Sequence, residues 1–448
     1  MAIEKERVSL AMWLPLLWML RCGSRSLIYW FDPQAAMASD SNDLLTGNPF
    51  DRNFFIMLEV MAFGVLVYRK FDVFNFAKNN KILLLLFIYM LSSFLWSAFP
   101  DVSIRRWVRA LGDLLMVLVI LSEVNVTASL DWMYRRFVYF LIPASVFFVK
   151  YMRDLGVAYD FTGKAEMWVG VTTHKNSLGQ LVVIGSIFLV WAFLRKKGRL
   201  FDIPVFMMGM WLLNGSKSSS SKTSIMVFLL GASLIFILSR IKNVKIIATA
   251  ICTSLAVVFL TEALLEVFFK SSIFNVILSS TGRDATLTGR TDLWEAVIAL
   301  GMKHPLLGGG YGSFWLGNFS NNLWQIFVWH PTQAHNGYID IFVDLGIIGL
   351  VLVISLIIAA LTGSYKAIMA GSDFGKFRFV LILMVLIYNI SESSLIRPTS
   401  LLWFTFLLMA INCGAVANTG AQLPFFCKEC EEDEKVAGAD ERTVGEEV

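Results

Sequence analysis

Charge is what this sequence has least of. Only 16% of its 448 residues are Asp, Glu, Lys or Arg and only 4 are histidine, while 56% are apolar, with 37 Phe and 14 Trp. A soluble domain is about 25% charged, so an ordinary soluble surface is excluded. Cysteine is sparse too. Of the 5 cysteines, Cys22, Cys252 and Cys413 lie in or beside apolar runs, and no pairing suggests an extracytoplasmic disulfide framework. Cys427 and Cys430 make one C-x-x-C in the tail, with no further zinc ligands near it. A net charge of +4 is too weak to argue for nucleic acid. There is no internal repeat, and the one low-complexity run, "GSKSSSSKTS" (215–224), lacks the glycine spacing of a phosphate-binding loop and follows no strand.

What is present is long apolar segments. They form about twelve runs, most of them long enough for a bilayer core of roughly 20 residues. The runs are 8–20, 53–68, 82–99, 107–122, 134–149, 177–194, 200–213, 223–239, 244–264, 337–362, 379–390 and 399–416. The first has no small-residue cleavage site and is followed by Arg21, which reads as an anchor rather than a signal peptide. Lys and Arg are about three times denser in every second loop, among them "RKFDVFNFAKNNK" (69–81), "RKKGR" (195–199) and "RIKNVK" (240–245), so those loops and both termini are expected in the cytoplasm. The expected fold is an all-α integral membrane protein. Nine spans occupy 1–264, a large extracytoplasmic loop with amphipathic helices occupies 265–336, three spans occupy 337–416, and an acidic, disordered cytoplasmic tail occupies 417–448.

The ionisable residues of interest gather on the outer side. In "TTHKNS", His174 and Lys175 precede the sixth span. Lys222 stands where the eighth span begins, and a helix N-terminus already favours an anion. Arg290 precedes a helix expected to start near Thr291 or Asp292, with Asp292 and Glu295 spaced as a capping box and Pro305 with three glycines ending it. That helix is expected to lie against the membrane surface. A bidentate arginine at such a helix start suits phosphate. In "WHPTQAHNGYID" (329–340), His335 sits before Asn336, Gly337 and Tyr338 at the start of the tenth span, where it can be a base for a hydroxyl or a plain interfacial histidine. A metal site from His330, His335 and Asp340 has a spacing that matches no helical pair and no zinc pattern. Glu392 and Arg397 flank "SESSLIRPTS" at the outer end of the last two spans, either as functional charges or as a mutual clamp. Each residue alone has a bland alternative, such as a snorkelling lysine or a capped helix end. Together they suit a lipid-linked phosphate or diphosphate, with a histidine for chemistry on a hydroxyl.

Four of these stretches also carry a resemblance. "GVTTHKNSLGQ" (170–180), "SKSSSSKTS" (216–224), "TGRTDLWEAV" (288–297) with "KHPLLGGGYGSF" (303–314), and "AHNGYIDIFVDLGIIGL" (334–350) resemble the O-antigen ligase and polysaccharide polymerase superfamily, especially exopolysaccharide (Wzy-like) polymerases. The resemblance implies a metal-independent, cofactor-free inverting glycosyltransferase of the C type in the bacterial inner membrane. It would move an undecaprenyl-diphosphate-linked glycan to an acceptor sugar hydroxyl on the extracytoplasmic face. By resemblance His335 activates the acceptor or supports the transfer, Arg290 is a catalytic diphosphate ligand and Lys222 falls at a further diphosphate position; Lys175 and His174, at a helix entry, are expected to complete that site. Glu392, Arg397, Asn336 and Tyr338 are expected to support the acceptor. Lys222 departs from the S-x-S-R pattern of many ligases, which favours the polymerase branch. The implied partners are the lipid-linked donor, an acceptor that is a lipid-linked repeat unit or lipid A-core, membrane lipid, and flippase and chain-length regulator proteins. The alternatives are an O-antigen ligase and, further off, a polysaccharide transporter, for which inverted repeats and charges buried mid-span would be expected.

Overall fold

The structure is a computed structural model describing residues 8–31, 48–159, 166–216, 221–240, 290–327 and 329–411. The ninth run (244–264), most of the serine run (217–220), the loop 265–289 and the tail with Cys427 and Cys430 lie outside the described residues. The described chain is almost entirely helical. In order come α1 (Trp13–Cys22), α2 (Pro49–Tyr68), α3 (Lys81–Ser92), α4 (Pro100–Leu121), α5 (Val126–Tyr151), α6 (Lys175–Leu194), α7 (Asp202–Asn214), α8 (Lys222–Arg240), α9 (Arg290–Gly301), α10 (Gly317–Ile326), α11 (Gly337–Met369), α12 (Asp373–Ser391) and α13 (Leu401–Ala410). One small antiparallel hairpin, β1 (Val157–Tyr159) and β2 (Glu166–Trp168), precedes α6. Local chemistry sets the helix starts. Asn48 accepts from the Phe50 amide ahead of Pro49, Asn125 caps α5, and Ser372 caps α12; short polar side chains there satisfy amides that have no intrahelical partner.

Every apolar run among the described residues falls on a helix. By length and composition, α6, α8, α11 and α12 can each cross a membrane. A fifth span arises if Val73–Asn79 and Lys81–Leu95, bent by 99°, are counted as one. The expected inside loop 69–81 thus contains a short helix set across α3. The helix α13 is at the centre: all its residues are buried, although it is only 10 residues long. Outer helices keep large apolar side chains facing outwards, such as Val60 and Phe63 on α2, Met207 on α7, and Met226 and Leu229 on α8. An apolar core inside an apolar exterior is what a membrane-embedded bundle requires.

The long helix α11 is broken, which the sequence reading did not foresee. Gly346 has φ 66°, and the helix resumes after it. A break in a buried helix frees backbone groups that must find partners. Here the glycine-rich segment supplies most of them. The amides of Gly309 and Gly310 donate to the Val343 and Asp344 carbonyls at 2.8 and 2.9 Å, and the Ile347 and Ile348 amides donate to Pro305 and Leu306 at 2.9 and 3.3 Å. The Tyr89 hydroxyl donates to Leu345 at 2.9 Å. The motifs "KHPLLGGGYGSF" and "DIFVDLGIIGL" are therefore two halves of one interlock. It also docks the outer helices, because Leu293 and Val297 of α9 pack with Phe314, Trp315, Leu323, Ala334 and Val343. The described part of 265–336 is accordingly built onto α11.

Charges are distributed less simply than expected. At the end of α6 away from His174, Arg135 is buried against Asp202, which also accepts from Tyr139. Other ionisable residues lie inside the bundle, where the sequence reading placed none. Asp113 of α4 is fully buried and accepts from Trp18 Nε1 at 2.7 Å and the Thr399 amide at 3.0 Å. Buried Arg378 donates to the Met409 carbonyl at 2.8 Å. These groups fasten helices to one another and to loops, since a buried ionisable group is tolerated only with such partners.

Candidate functional site

At the end of the bundle where α6 and α11 begin and α12 ends lies a cleft of about 410 Å³. Its lining is hydrophilic. His174, His335, Glu392, Arg397 and Arg21 contribute charge or titratable rings; Thr172, Thr173, Ser177, Ser393, Ser394 and Ser400 contribute hydroxyls; Gln180 and Gln333 contribute amides. Hydroxyls and amides in this density match the donor and acceptor pattern of a sugar.

Glu392 is the hub. Its backbone leaves α12, and its carboxylate is buried. Oε2 lies 3.8 Å from His335 Nδ1, and Oε1 lies 3.9 Å from Arg290 while accepting from the Asn176 side chain. Burial alone would raise its pKa. The His335 ring 3.8 Å away, with Arg290 and His174, outweighs that and holds the carboxylate below its usual range. The loop that carries Glu392 and Arg397 is folded by Asn389, whose Oδ1 accepts from the Ser394 and Leu395 amides at 2.9 Å each. Backbone strain collects here: His335, Ile396 and Thr399 have φ of 52°, 52° and 58°. For a β-branched residue such as Ile396 this conformation is unusual and persists only where packing enforces it.

The structure brings most of the expected residues together. Arg290 is the first described residue of α9 instead of preceding that helix, and its Nη1 donates to the Ser391 carbonyl at 2.8 Å. Arg397 and Glu392 are separately engaged, not clamped to each other: Arg397 donates to Gln333 Oε1 and to the Ser393 carbonyl. Lys175 opens α6, as expected, and His174 is its N-cap, with Nδ1 accepting from the Asn176 amide at 3.3 Å. His174 is exposed at the cleft and packs against the protein on its other side. Desolvation on that side lowers its pKa; Glu392 opposes the shift, and Lys175, His335 and Arg290 add to it. A cap acceptor must be unprotonated, so His174 is a neutral ring and not the cation its position suggested.

Three expected residues do other work. Lys222 does open α8, but it is exposed and does not line the cleft. Asn336 caps α11, accepting from the Tyr338 and Ile339 amides at 3.0 and 3.3 Å. Tyr338 donates to the Leu386 carbonyl at 3.1 Å, tying α11 to α12. Neither Asn336 nor Tyr338 appears in the cleft lining, and both hold His335 and Glu392 in place from behind. The remaining candidates separate cleanly. His330 stacks on Trp324 with ring centres 5.1 Å apart, and Asp340 accepts from Trp315 Nε1 and the Ala334 amide.

Sequence reasoning missed Arg21, Gln333 and Asn176. Arg21 was read only as the flank of an anchor; it lines the cleft and is paired with Asp51 at 3.1 Å. Gln333 lies two residues before His335 and Asn176 one after Lys175, but uncharged amides send no signal without a partner in view.

Two comparisons bear on these residues. Residues 210–354 match the family described as O-antigen ligase, a stretch that contains Lys222, Arg290 and His335. The chain is also 26% identical over 290 residues to the exopolysaccharide production protein ExoQ of Rhizobium meliloti (strain 1021). That alignment covers 63% of this chain and 65% of the relative. Together with the motifs that the fold interlocks, these matches support the O-antigen ligase and polysaccharide polymerase family for this chain.

Proposed function

We propose that the protein is a polysaccharide polymerase that transfers a lipid-diphosphate-linked glycan to an acceptor sugar hydroxyl on the extracytoplasmic face of the bacterial inner membrane. The observation that carries this reading is the convergence of His335, Glu392 and Arg397 on one hydroxyl-lined cleft at the ends of α11 and α12, with Arg290 3.9 Å from the Glu392 carboxylate. The donor is undecaprenyl diphosphate carrying a repeat unit. Its leaving diphosphate develops charge that Arg397 in the cleft, with Arg290, Lys175 and the start of α6, stabilises in a poorly hydrated place. The acceptor oxygen bonds to the anomeric carbon from the opposite side as the bond to the phosphate oxygen breaks. The electron pair leaves with the diphosphate, the hydroxyl proton goes to His335, and the anomeric centre inverts. No metal or organic cofactor is assigned a part.

An O-antigen ligase shares this donor and differs in its acceptor, lipid A-core. The polymerase reading is favoured because the curated relative is named for exopolysaccharide production. Flippase and chain-length regulator proteins would act before and beside it. The decisive experiment uses protein reconstituted in vesicles and undecaprenyl-diphosphate-linked repeat units as the sole glycan. A ladder of lengthening products is expected. Absence of a ladder, with transfer restored only when lipid A-core is added, would make it a ligase. Reporter fusions at Lys197 and Asn321 should place the first in the cytoplasm and the second outside; a cytoplasmic Asn321 would put the cleft on the wrong side for this donor.

A further inference from the structure

The position of the ring proton on His335 follows from the amide beside it. Arg397 can only donate hydrogen bonds, and its Nη1 meets Oε1 of Gln333. The Gln333 amide is thereby oriented with its NH2 group towards His335, and Nε2 lies 3.1 Å from His335 Nδ1. An NH2 group cannot accept, so Nδ1 must. This assignment comes from the hydrogen-bond network, and it puts the proton of the neutral ring on Nε2. In that register Nε2 can give a hydrogen bond but cannot take a proton from a hydroxyl.

Glu392 offers the opposite register. Its Oε2 lies 3.8 Å from the same Nδ1. A ring shifted towards it by about 1 Å reaches hydrogen-bonding distance, donates Nδ1–H to the carboxylate and leaves Nε2 bare. The two registers exclude each other, because Nδ1 cannot accept from Gln333 and donate to Glu392 at once. What holds the first is Arg397, which is exposed to the cleft. A phosphate oxygen entering the cleft competes for that guanidinium better than a neutral amide oxygen, since ion pairing out of bulk water adds charge–charge attraction.

We propose that Gln333 is a positioning residue that keeps His335 in the Nε2–H register while the cleft is empty, and that a diphosphate drawing on Arg397 releases the ring to Glu392. The inference rests on the reading of His335 as the group that takes the acceptor proton. It gives the protein a reason not to spend its lipid-linked donor unproductively: the base exists only when the anion is seated. In the armed register the hydroxyl proton moves to Nε2 as the new glycosidic bond forms and the bond to the diphosphate oxygen breaks, while Nδ1–H stays hydrogen-bonded to Glu392.

The test is nitrogen NMR of the full chain in nanodiscs, labelled at histidine, with the His335 signals assigned by their loss in His335→Ala. Only 4 histidines contribute. The protonated and bare ring nitrogens resonate apart, so the spectrum reads the register directly. Empty wild type should show Nε2–H, and saturating inorganic diphosphate should convert it to Nδ1–H. Gln333→Leu should show Nδ1–H without any ligand. In Gln333→Glu a carboxylate bridges Arg397 and the ring, so it should also show Nδ1–H without any ligand. Nδ1–H in empty wild type, or Nε2–H persisting in Gln333→Leu, would overturn the role of Gln333. A wild-type register unmoved by diphosphate would overturn the release. His335→Ala that still transfers glycan would sink the reading of the reaction while leaving the tautomer result standing, so the two failures are distinguishable.

Discussion

A Cβ built on Gly346 would lie 2.2 Å from the Leu306 carbonyl oxygen, so these two residues meet with no room for a side chain. At φ 66° the backbone of Gly346 is also in the left-handed region. The contact holds the glycine-rich segment in the break of α11, and with it α9, Arg290 and the turn that carries His335.

Gly346→Ala should therefore fail as a folded protein. The backbone conformation alone costs about 1–2 kcal/mol for a residue with a Cβ, and the collision with a backbone carbonyl adds to it. Gly64→Ala is the control: nothing lies within 4 Å of its added Cβ in the middle of α2, and Ala is favoured over Gly in a helix by about 0.5–1 kcal/mol. The yield of monodisperse detergent-solubilised protein and its thermal midpoint decide this. Equal yields of the two variants would mean that the interlock does not hold the fold.

The second prediction separates two cations that looked alike in the sequence. Arg290→Ala should lower transfer by about 10- to 100-fold, the range of one charge-assisted hydrogen bond, with normal protein level. Arg290→Lys should recover little, because it loses the planar fork that serves Ser391 and faces Glu392. Lys222→Arg and Lys222→Ala should both stay near wild type, since Lys222 is exposed and outside the cleft. Initial rates with lipid-linked donor decide; a Lys222→Ala loss as large as that of Arg290→Ala would return Lys222 to the diphosphate site.

The contrast shows where the sequence stops being informative. Apolar runs have the length of helices, and caps such as Asn336 and Ser372 are short-range, so the elements were legible residue by residue. The outer ends holding Arg290, His335 and Glu392 followed from charge patterning along the chain. Lys222 and Asn336 could not be sorted the same way, because a side chain at a helix start looks identical whether it faces a ligand, solvent or its own backbone. The break at Gly346 was hidden for a different reason. Its cause is the backbone of residues 305–310, about 40 positions away, and a continuous apolar run conceals such an interruption. Gln333 escaped because an amide acquires meaning only between Arg397 and His335.

A third prediction concerns pH. The pKa of His174 is lowered in the fold and that of Glu392 is lowered as well. For both, the unfolded chain binds protons first as pH falls, so each contributes stability at neutral pH that is lost on acidification. Loss from His174 should begin near its unfolded value of about 6.5, and loss from Glu392 below about 4.3. His174→Asn keeps an acceptor for the Asn176 amide, since Asn is a good N-cap, but it cannot titrate. Its thermal midpoint should fall less between pH 7 and pH 5 than that of the wild type. Identical pH profiles for the two proteins would show that the cap is not coupled to protonation.

The last prediction divides the two histidines of "WHPTQAHNGYID". His335 shares a carboxylate with Arg290 and an amide with Arg397, at a loop–helix junction that is only partly buried. His335→Ala removes the ring without opening a cavity in the packed core, so the protein should insert and fold normally. Transfer should fall to background, with undecaprenyl-linked single repeat units accumulating in cells. His330 is exposed and spends its ring on Trp324. His330→Ala should therefore change transfer by no more than about threefold, the scale of a lost surface stacking contact. Lipid-linked intermediates and product length, compared at matched protein levels, distinguish the readings. Equal loss from both, restored by added metal ion, would establish a metal site and remove His335 as the proton acceptor. No loss from either would leave the segment as a turn at the membrane surface. Loss from His335 alone, insensitive to chelator, is the outcome required if one imidazole, steadied between Gln333 and Glu392, takes the acceptor proton.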